Sequence, residues 1–69
     1  MRYSIYGHFE LDVVREGGNW KVFNVAAGKR VLRNDVIIPA EVQADEIATY
    51  LDDLFHELAR PGQAISRLG

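Results

Sequence analysis

The chain contains no cysteine. That removes disulfides and thiolate metal sites from the devices that stabilise very small domains. Prolines number two and methionine and tryptophan one each among 69 residues, so neither a proline-rich linker nor a methionine-rich binding groove is indicated. Continuous apolar runs are also missing. From Tyr3 onward polar and apolar residues alternate, a pattern unlike a signal peptide or a membrane span, and a cytoplasmic location is expected. No glycine-rich loop precedes a helix, since Gly17-Gly18 lies between two strand-like runs. Ser4 and Ser66 have no base beside them in sequence, so no nucleophile, cofactor or metal is expected and the chain reads as a non-enzyme. Finally, Lys and Arg are absent between Asn34 and Ala59, a stretch that carries seven acids, Asp35, Glu41, Asp45, Glu46, Asp52, Asp53 and Glu57.

What is present suits one globular domain. Apolar residues make up 48% and aromatics 10% of the chain, well above a disordered composition. The formal net charge of −2 conceals a segregation. Residues 1–33 carry six bases and three acids, residues 34–59 only acids, and residues 60–69 add Arg60 and Arg67. A basic excess typical of non-specific nucleic-acid binding is lacking, so nucleic acid is not an expected partner.

Tyr3 to Arg15 alternates with period two: Tyr3, Ile5, Phe9, Leu11 and Val13 point one way, with Gly7 as an interruption. This predicts one half-exposed strand. Glu16-Gly17-Gly18-Asn19 is a turn, and Trp20 to Val25 returns as the second strand of a hairpin. A three-residue loop over Gly17-Gly18-Asn19 sets Val13 opposite Phe23 and Leu11 opposite Val25. A two-residue loop sets Val13 opposite Val22 and Leu11 opposite Asn24. The first gathers more apolar residues on one face and is preferred. After a turn at Ala26-Ala27-Gly28-Lys29, Arg30 to Leu32 reads as a third strand. Val36-Ile37-Ile38 either continues it past a bulge, forms an edge segment, or leads toward a helix.

Ala44 to Ala59 has helical period, with Ile47, Leu51, Leu54, Phe55 and Leu58 in one stripe. Asp45 and Glu46 sit in its first turn, favoured by the dipole, and Arg60-Pro61-Gly62 ends it. The expected fold is α+β: a three-stranded antiparallel sheet in the order β-β-β-α, with one C-terminal amphipathic helix packed on one face. Residues 1–62 form the domain and residues 63–69 a flexible tail.

Two surfaces are candidates for partner contact. In the preferred register Tyr6, Val14, Trp20 and Val22 share the sheet face away from the helix, and aromatic anchors are frequent in interfaces. The helix's outer face presents Asp52, Asp53, His56 and Glu57. Asp52 and Asp53 lie four and three residues before His56, spacings compatible with a divalent metal, but only His8 offers a further imidazole, and a solvated face or a protein contact is preferred. Asp53 and Glu57 repel each other at i, i+4. A cationic partner or the chain's own bases would relieve them. Lys21, Lys29, Arg30 and Arg33 form a candidate basic patch near aromatics. A charged, solvated sheet edge explains it better than single-stranded nucleic acid does.

The run Tyr50-Leu51-Asp52-Asp53-Leu54-Phe55-His56-Glu57-Leu58, with Ile38-Pro39 before it and Ala59-Arg60-Pro61-Gly62 after it, resembles a family of short uncharacterised bacterial proteins over nearly the whole chain. That resemblance implies no catalytic or binding residues. Glu16-Gly17-Gly18-Asn19-Trp20-Lys21-Val22-Phe23 is similar to the hairpin of the HicB-like antitoxin domain. Asn24-Val25 stands where that family has a proline-containing exit, and its Gly-Cys segment is missing. The leading expectation is a protein that acts through protein contact or self-association. An antitoxin-like or regulatory domain masking a basic surface with its acidic helix comes second, and a nucleic-acid binder using the basic strands third.

Overall fold

The computed structural model describes residues 1–69. Strands β1 (Arg2–Ile5), β2 (Phe9–Glu16), β3 (Asn19–Ala26), β4 (Lys29–Leu32) and β5 (Ile65–Arg67) form one antiparallel sheet in the spatial order β4-β3-β2-β1-β5. A single short helix, α1 (Ile47–Phe55), is flanked by one 3-10 turn at each end, Ala44–Glu46 and His56–Leu58. The expected three-stranded sheet with a C-terminal helix is therefore corrected. The sheet has five strands, the fold is mostly β, and the helix is followed by another strand.

The two additional strands have distinct origins. The first arises because Tyr3 to Arg15 is not one strand but two, folded back at Tyr6-Gly7-His8 so that Ile5 pairs with Phe9. Tyr6 and Gly7 both have positive φ, 56° and 77°, and the His8 N–H donates to the Ile5 carbonyl at 2.9 Å. A three-residue loop keeps odd-numbered residues on the same side before and after the turn. The period-two pattern consequently runs through it unchanged. The second is β5, which lies in the segment expected to be a flexible tail. It pairs with β1 through Tyr3↔Arg67, Ser4↔Ser66 and Ile5↔Ile65, after Gly62 (φ 85°) reverses the chain.

The β2–β3 hairpin takes the register that was not preferred, with Val13 opposite Val22 and Leu11 opposite Asn24. Gly17 and Gly18 have φ of 57° and 82°. Positive φ at both central residues is the mark of a type I′ turn, whose twist matches the strands and which needs two residues. Turn chemistry outweighs the gain from gathering Phe23 and Val25 on the inner face. Ala27-Gly28 closes β3 to β4 in the same way, with Ala27 itself at φ 51°.

The core is one cluster: Tyr3, Ile5 and Tyr6 from the first hairpin arm and its turn, Leu11, Val13 and Val22 from β2 and β3, Ile47 and Leu51 from the helix, and Val36 and Ile38. Val36 and Ile38 are buried while Ile37 between them is 72% exposed, so the segment is extended without belonging to the sheet. Three side chains fix this irregular stretch by donating to its carbonyls: Tyr50 Oη to Ile37, Arg15 Nη1 to Ala40 and Trp20 Nε1 to Val42, at 2.8, 2.9 and 2.9 Å. They replace the ladder that the segment forgoes.

The helical stripe is only partly inside. Ile47 and Leu51 are fully buried, and Phe55 meets Phe9 edge to face at 5.4 Å. Leu54, within α1, and Leu58 remain 47% and 45% exposed, and Leu58 lies where the chain has tightened into a 3-10 turn and the stripe loses its period. At the other end Gln43 and Glu46 form a capping box, the Gln43 N–H donating to Glu46 Oε1 at 2.9 Å. No helix is long and apolar enough to cross a membrane.

Candidate contact surfaces

Register decides which side chains the sheet shows to solvent. Opposite residues share a face, so Leu11 with Asn24 and Val13 with Val22 face the helix. Glu10 with Val25, Asp12 with Phe23 and Val14 with Lys21 face away, joined by Arg30 and Leu32 of β4. Of the four residues expected to share that outward face, only Val14 is there. Tyr6 and Val22 belong to the core at 3% and 2% exposure. Trp20 lies half-buried on the helix side, with the Arg15 guanidinium 4.5 Å over its ring. For Trp20 and Val22 the correction follows from the one-residue shift in register, which exchanges the two faces of β3; Tyr6 is turned inward by the β1–β2 turn, where its φ is 56°.

The outward face is closed by its own charges. Arg30 stacks 4.4 Å from the Phe23 ring centroid and its Nη1 donates to Asp12 Oδ2 at 2.7 Å. The Arg30 guanidinium holds the Asp12 carboxyl below the usual carboxylate range, against the opposing effect of partial burial. The aromatic surface that register exposes is thus covered within the chain.

The expected basic patch is dispersed. Lys21 pairs with Glu16 at 3.2 Å and Arg30 with Asp12. Arg33 grips Asp35 through two bonds of 3.0 and 2.6 Å, which lowers the Asp35 pKa, while lying near the rings of Phe9 and Phe55 on the helix side. Lys29 alone of these four makes no ion pair.

On the acidic helix face, Asp52 is engaged by the chain itself: the Tyr6 hydroxyl donates to its carboxylate and lies 3.3 Å from its carbonyl. Burial, reinforced by Asp52, pushes the Tyr6 phenol up to about 12. His56 Nδ1 lies 3.0 Å from the Asp53 carbonyl oxygen, and His8 Nε2 lies 3.3 Å from that of Leu58. Asp53 and Glu57 make no ion pair, and Lys21, Arg30 and Arg33 are held by Glu16, Asp12 and Asp35 instead. No three His, Asp or Glu side chains converge on a point.

The feature the sequence reading passed over is the outer edge of β4. Val31 is 64% and Leu32 46% exposed, one on each face of a strand with no neighbour on its far side. Leu32 and Ile37 line one shallow pocket with Trp20, Val22 and Val36. The signal was present in the sequence: two adjacent apolar residues in a four-residue strand must point to opposite faces, and a strand so short leaves little to cover both.

These observations define a small antiparallel-sheet domain, covered on one face by a short helix, with a bare apolar edge at β4 and an acidic outer helix face. The chain belongs to the family described as Domain of unknown function (DUF7661), whose model matches residues 1–68. No curated protein and no solved structure matches it. The similarity to an uncharacterised family is thereby met over the whole fold, β5 included.

Proposed function

We propose that this is a non-catalytic protein of the bacterial cytoplasm that works by docking another protein chain along the β4 edge. The observation that carries the reading is the concentration of exposed large apolar side chains there, Val31, Leu32 and Ile37, on a strand whose outer backbone groups are unpaired. Exposed strands of this kind accept a further strand, with backbone hydrogen bonds supplying affinity. The test is the size of the protein in native extract by chromatography with light scattering, for wild type and for Val31→Lys. Migration above the mass of one chain, lost in the variant while the melting temperature is kept, supports docking at this edge. Migration as one chain under all conditions refutes it.

A second reading rests on the acidic helix face. Asp53 and Glu57 lack ionic partners within the chain, which suits a regulatory domain that masks a cationic partner surface. Such a complex weakens with salt. If neutralising Asp53 and Glu57 left its affinity unchanged, that surface would not be the cause.

A further inference from the structure

We infer that the chain docked at β4 is a second copy of this protein, joined antiparallel about a two-fold axis through Val31. The inference rests on the proposed use of the β4 edge and adds the identity and register of the partner.

The register follows from the direction of backbone groups. The Arg33 N–H donates to the Val22 carbonyl, so at Arg33 the backbone turns toward β3. Along a strand this direction alternates. Lys29, Val31 and Arg33 therefore face β3, and Arg30 and Leu32 present their N–H and C=O groups outward. A copy pairing with this edge must match outward groups with outward groups. One antiparallel register engages both residues in both copies: Arg30 opposite Leu32 of the second copy, and Leu32 opposite its Arg30. The two-fold axis then falls on Val31, which meets its own counterpart in a non-hydrogen-bonded pair. In such pairs side chains approach most closely.

The side chains suit that register. Val31, 64% exposed in one copy, is covered by its equivalent. Leu32 lies beside the Arg30 of the second copy, whose guanidinium is already stacked on Phe23. Lys29, the one base of the region without an ionic partner, comes opposite Arg33 of the second copy. Like charges there would repel, but Arg33 carries Asp35 with it in a two-bond grip, and the Asp35 side chain is 67% exposed. An unpaired cation thus faces an already neutralised pair whose carboxylate is still solvent-exposed. Other pairings are poorer. β5 is three residues long, and joining β4 to β5 would be head to tail and would not close. The outward sheet face is sealed by Arg30 and Asp12. The result is a continuous sheet of two copies with both helices on the same side. Only a short strand is buried, so the dimer is weak and concentration-dependent.

Because the chain has no cysteine, Val31→Cys introduces a single thiol on the axis. Opposed Cα atoms in a non-hydrogen-bonded pair are about 4.5 Å apart, within disulfide reach. We expect wild type to shift from one to two chain masses in sedimentation velocity as concentration rises. Val31→Cys should oxidise to a disulfide-linked dimer, whereas Ile37→Cys, more exposed but off the axis, should not. Leu32→Pro removes an outward donor and should abolish the mass shift. Should that variant fail to fold, the contrast between the two cysteine variants decides. A wild-type dimer in which both cysteines link equally, or neither links, overturns the β4 register while leaving the protein-contact reading intact. A wild-type chain that stays at one mass when purified but enters a Val31-dependent complex in extract overturns the second copy as partner. One mass in both settings overturns the inference together with the reading it rests on.

Discussion

Replacing Leu51 by Ala tests the placement of the helix, and Leu54→Ala is its control. Both substitutions delete the same three carbons from the same helix. Leu51 is fully buried, between Ile47 and Phe55 in the stripe that meets the sheet. At about 0.8 kcal/mol per buried methylene, transfer alone gives about 2.4 kcal/mol, and the unfilled space raises the loss to about 3–5 kcal/mol. Leu54 is 47% exposed, so roughly half of that transfer is already forgone and no enclosed cavity forms. About 1 kcal/mol is expected. A domain of this length holds roughly 3–10 kcal/mol in total. Leu54→Ala should therefore lower the melting temperature by about 4–8 °C, and Leu51→Ala should remove most of the folded state or lower the midpoint several times as far. Urea denaturation followed by far-ultraviolet circular dichroism measures both. Equal losses at the two positions would show that the helix turns a different face to the sheet and would refute the packing described.

Three further outcomes are expected. Ala27 occupies a left-handed position (φ 51°) in a two-residue turn before Gly28; Ala27→Asn supplies the preferred Asn-Gly pair and should stabilise by about 0.5–1 kcal/mol, whereas Gly18→Ala (φ 82°) should destabilise by about 1–2 kcal/mol, both read from denaturant midpoints. The Tyr6 phenol lies above its ordinary value of 10.0, at about 12. The folded state thus holds this proton more tightly than the unfolded one, the resulting stability is complete below about pH 10, and it fades as pH rises toward about 12; phenolate absorbance should show one late-titrating tyrosine, absent in Tyr6→Phe. The carboxyls of Asp12 and Asp35 are held low by Arg30 and Arg33. Their contribution is therefore complete above the ordinary carboxylate range and is lost as pH falls through it, so Asp12→Asn should flatten the acid limb of a stability–pH curve.

The sequence was legible where one local rule acted alone. The location of the turn at Glu16-Gly17-Gly18-Asn19 and the helix around Ile47 and Leu51 follow from residues close in the chain, whereas the stop expected at Arg60-Pro61-Gly62 comes earlier, α1 ending at Phe55 and its 3-10 extension at Leu58. It failed where two rules competed or where a rule was blind. At the β2–β3 hairpin, the apolar count favoured Phe23 and Val25 inside, while the twist of a Gly-Gly turn favoured Trp20 and Val22. Turn geometry won because a strained hairpin penalises every residue pair along it. At Tyr6-Gly7 the odd loop preserved the alternation, so the period held no trace of the turn. Moreover, an aromatic at positive φ is unfavourable without its tertiary contact, the bond to Asp52. β5 was too short for any period and is held by pairing with a strand some sixty residues away in sequence (Tyr3↔Arg67). The contact surfaces were least legible, because exposure depends on register and register was misjudged by one residue. Val14 kept its face since it lies on β2, Trp20 and Val22 on β3 exchanged theirs, and Tyr6 was carried into the core by the β1–β2 turn.

The position of β1 between β2 and β5 has a consequence for how the protein is made. The meander β1 to β4 pairs only neighbours in sequence and can assemble as soon as those residues leave the ribosome. One side of β1 then stays an open template, its backbone groups at Arg2 and Ser4 exposed beside the apolar Tyr3 and Ile5, until residues 65–67 have been synthesised. For that interval the growing chain carries two adhesive edges rather than one, and β5 acts as its final seal. A truncation that removes Ile65–Arg67 would leave that first edge open permanently, and aggregation at the ribosome or soon after release, more than loss of core packing, would be its signature.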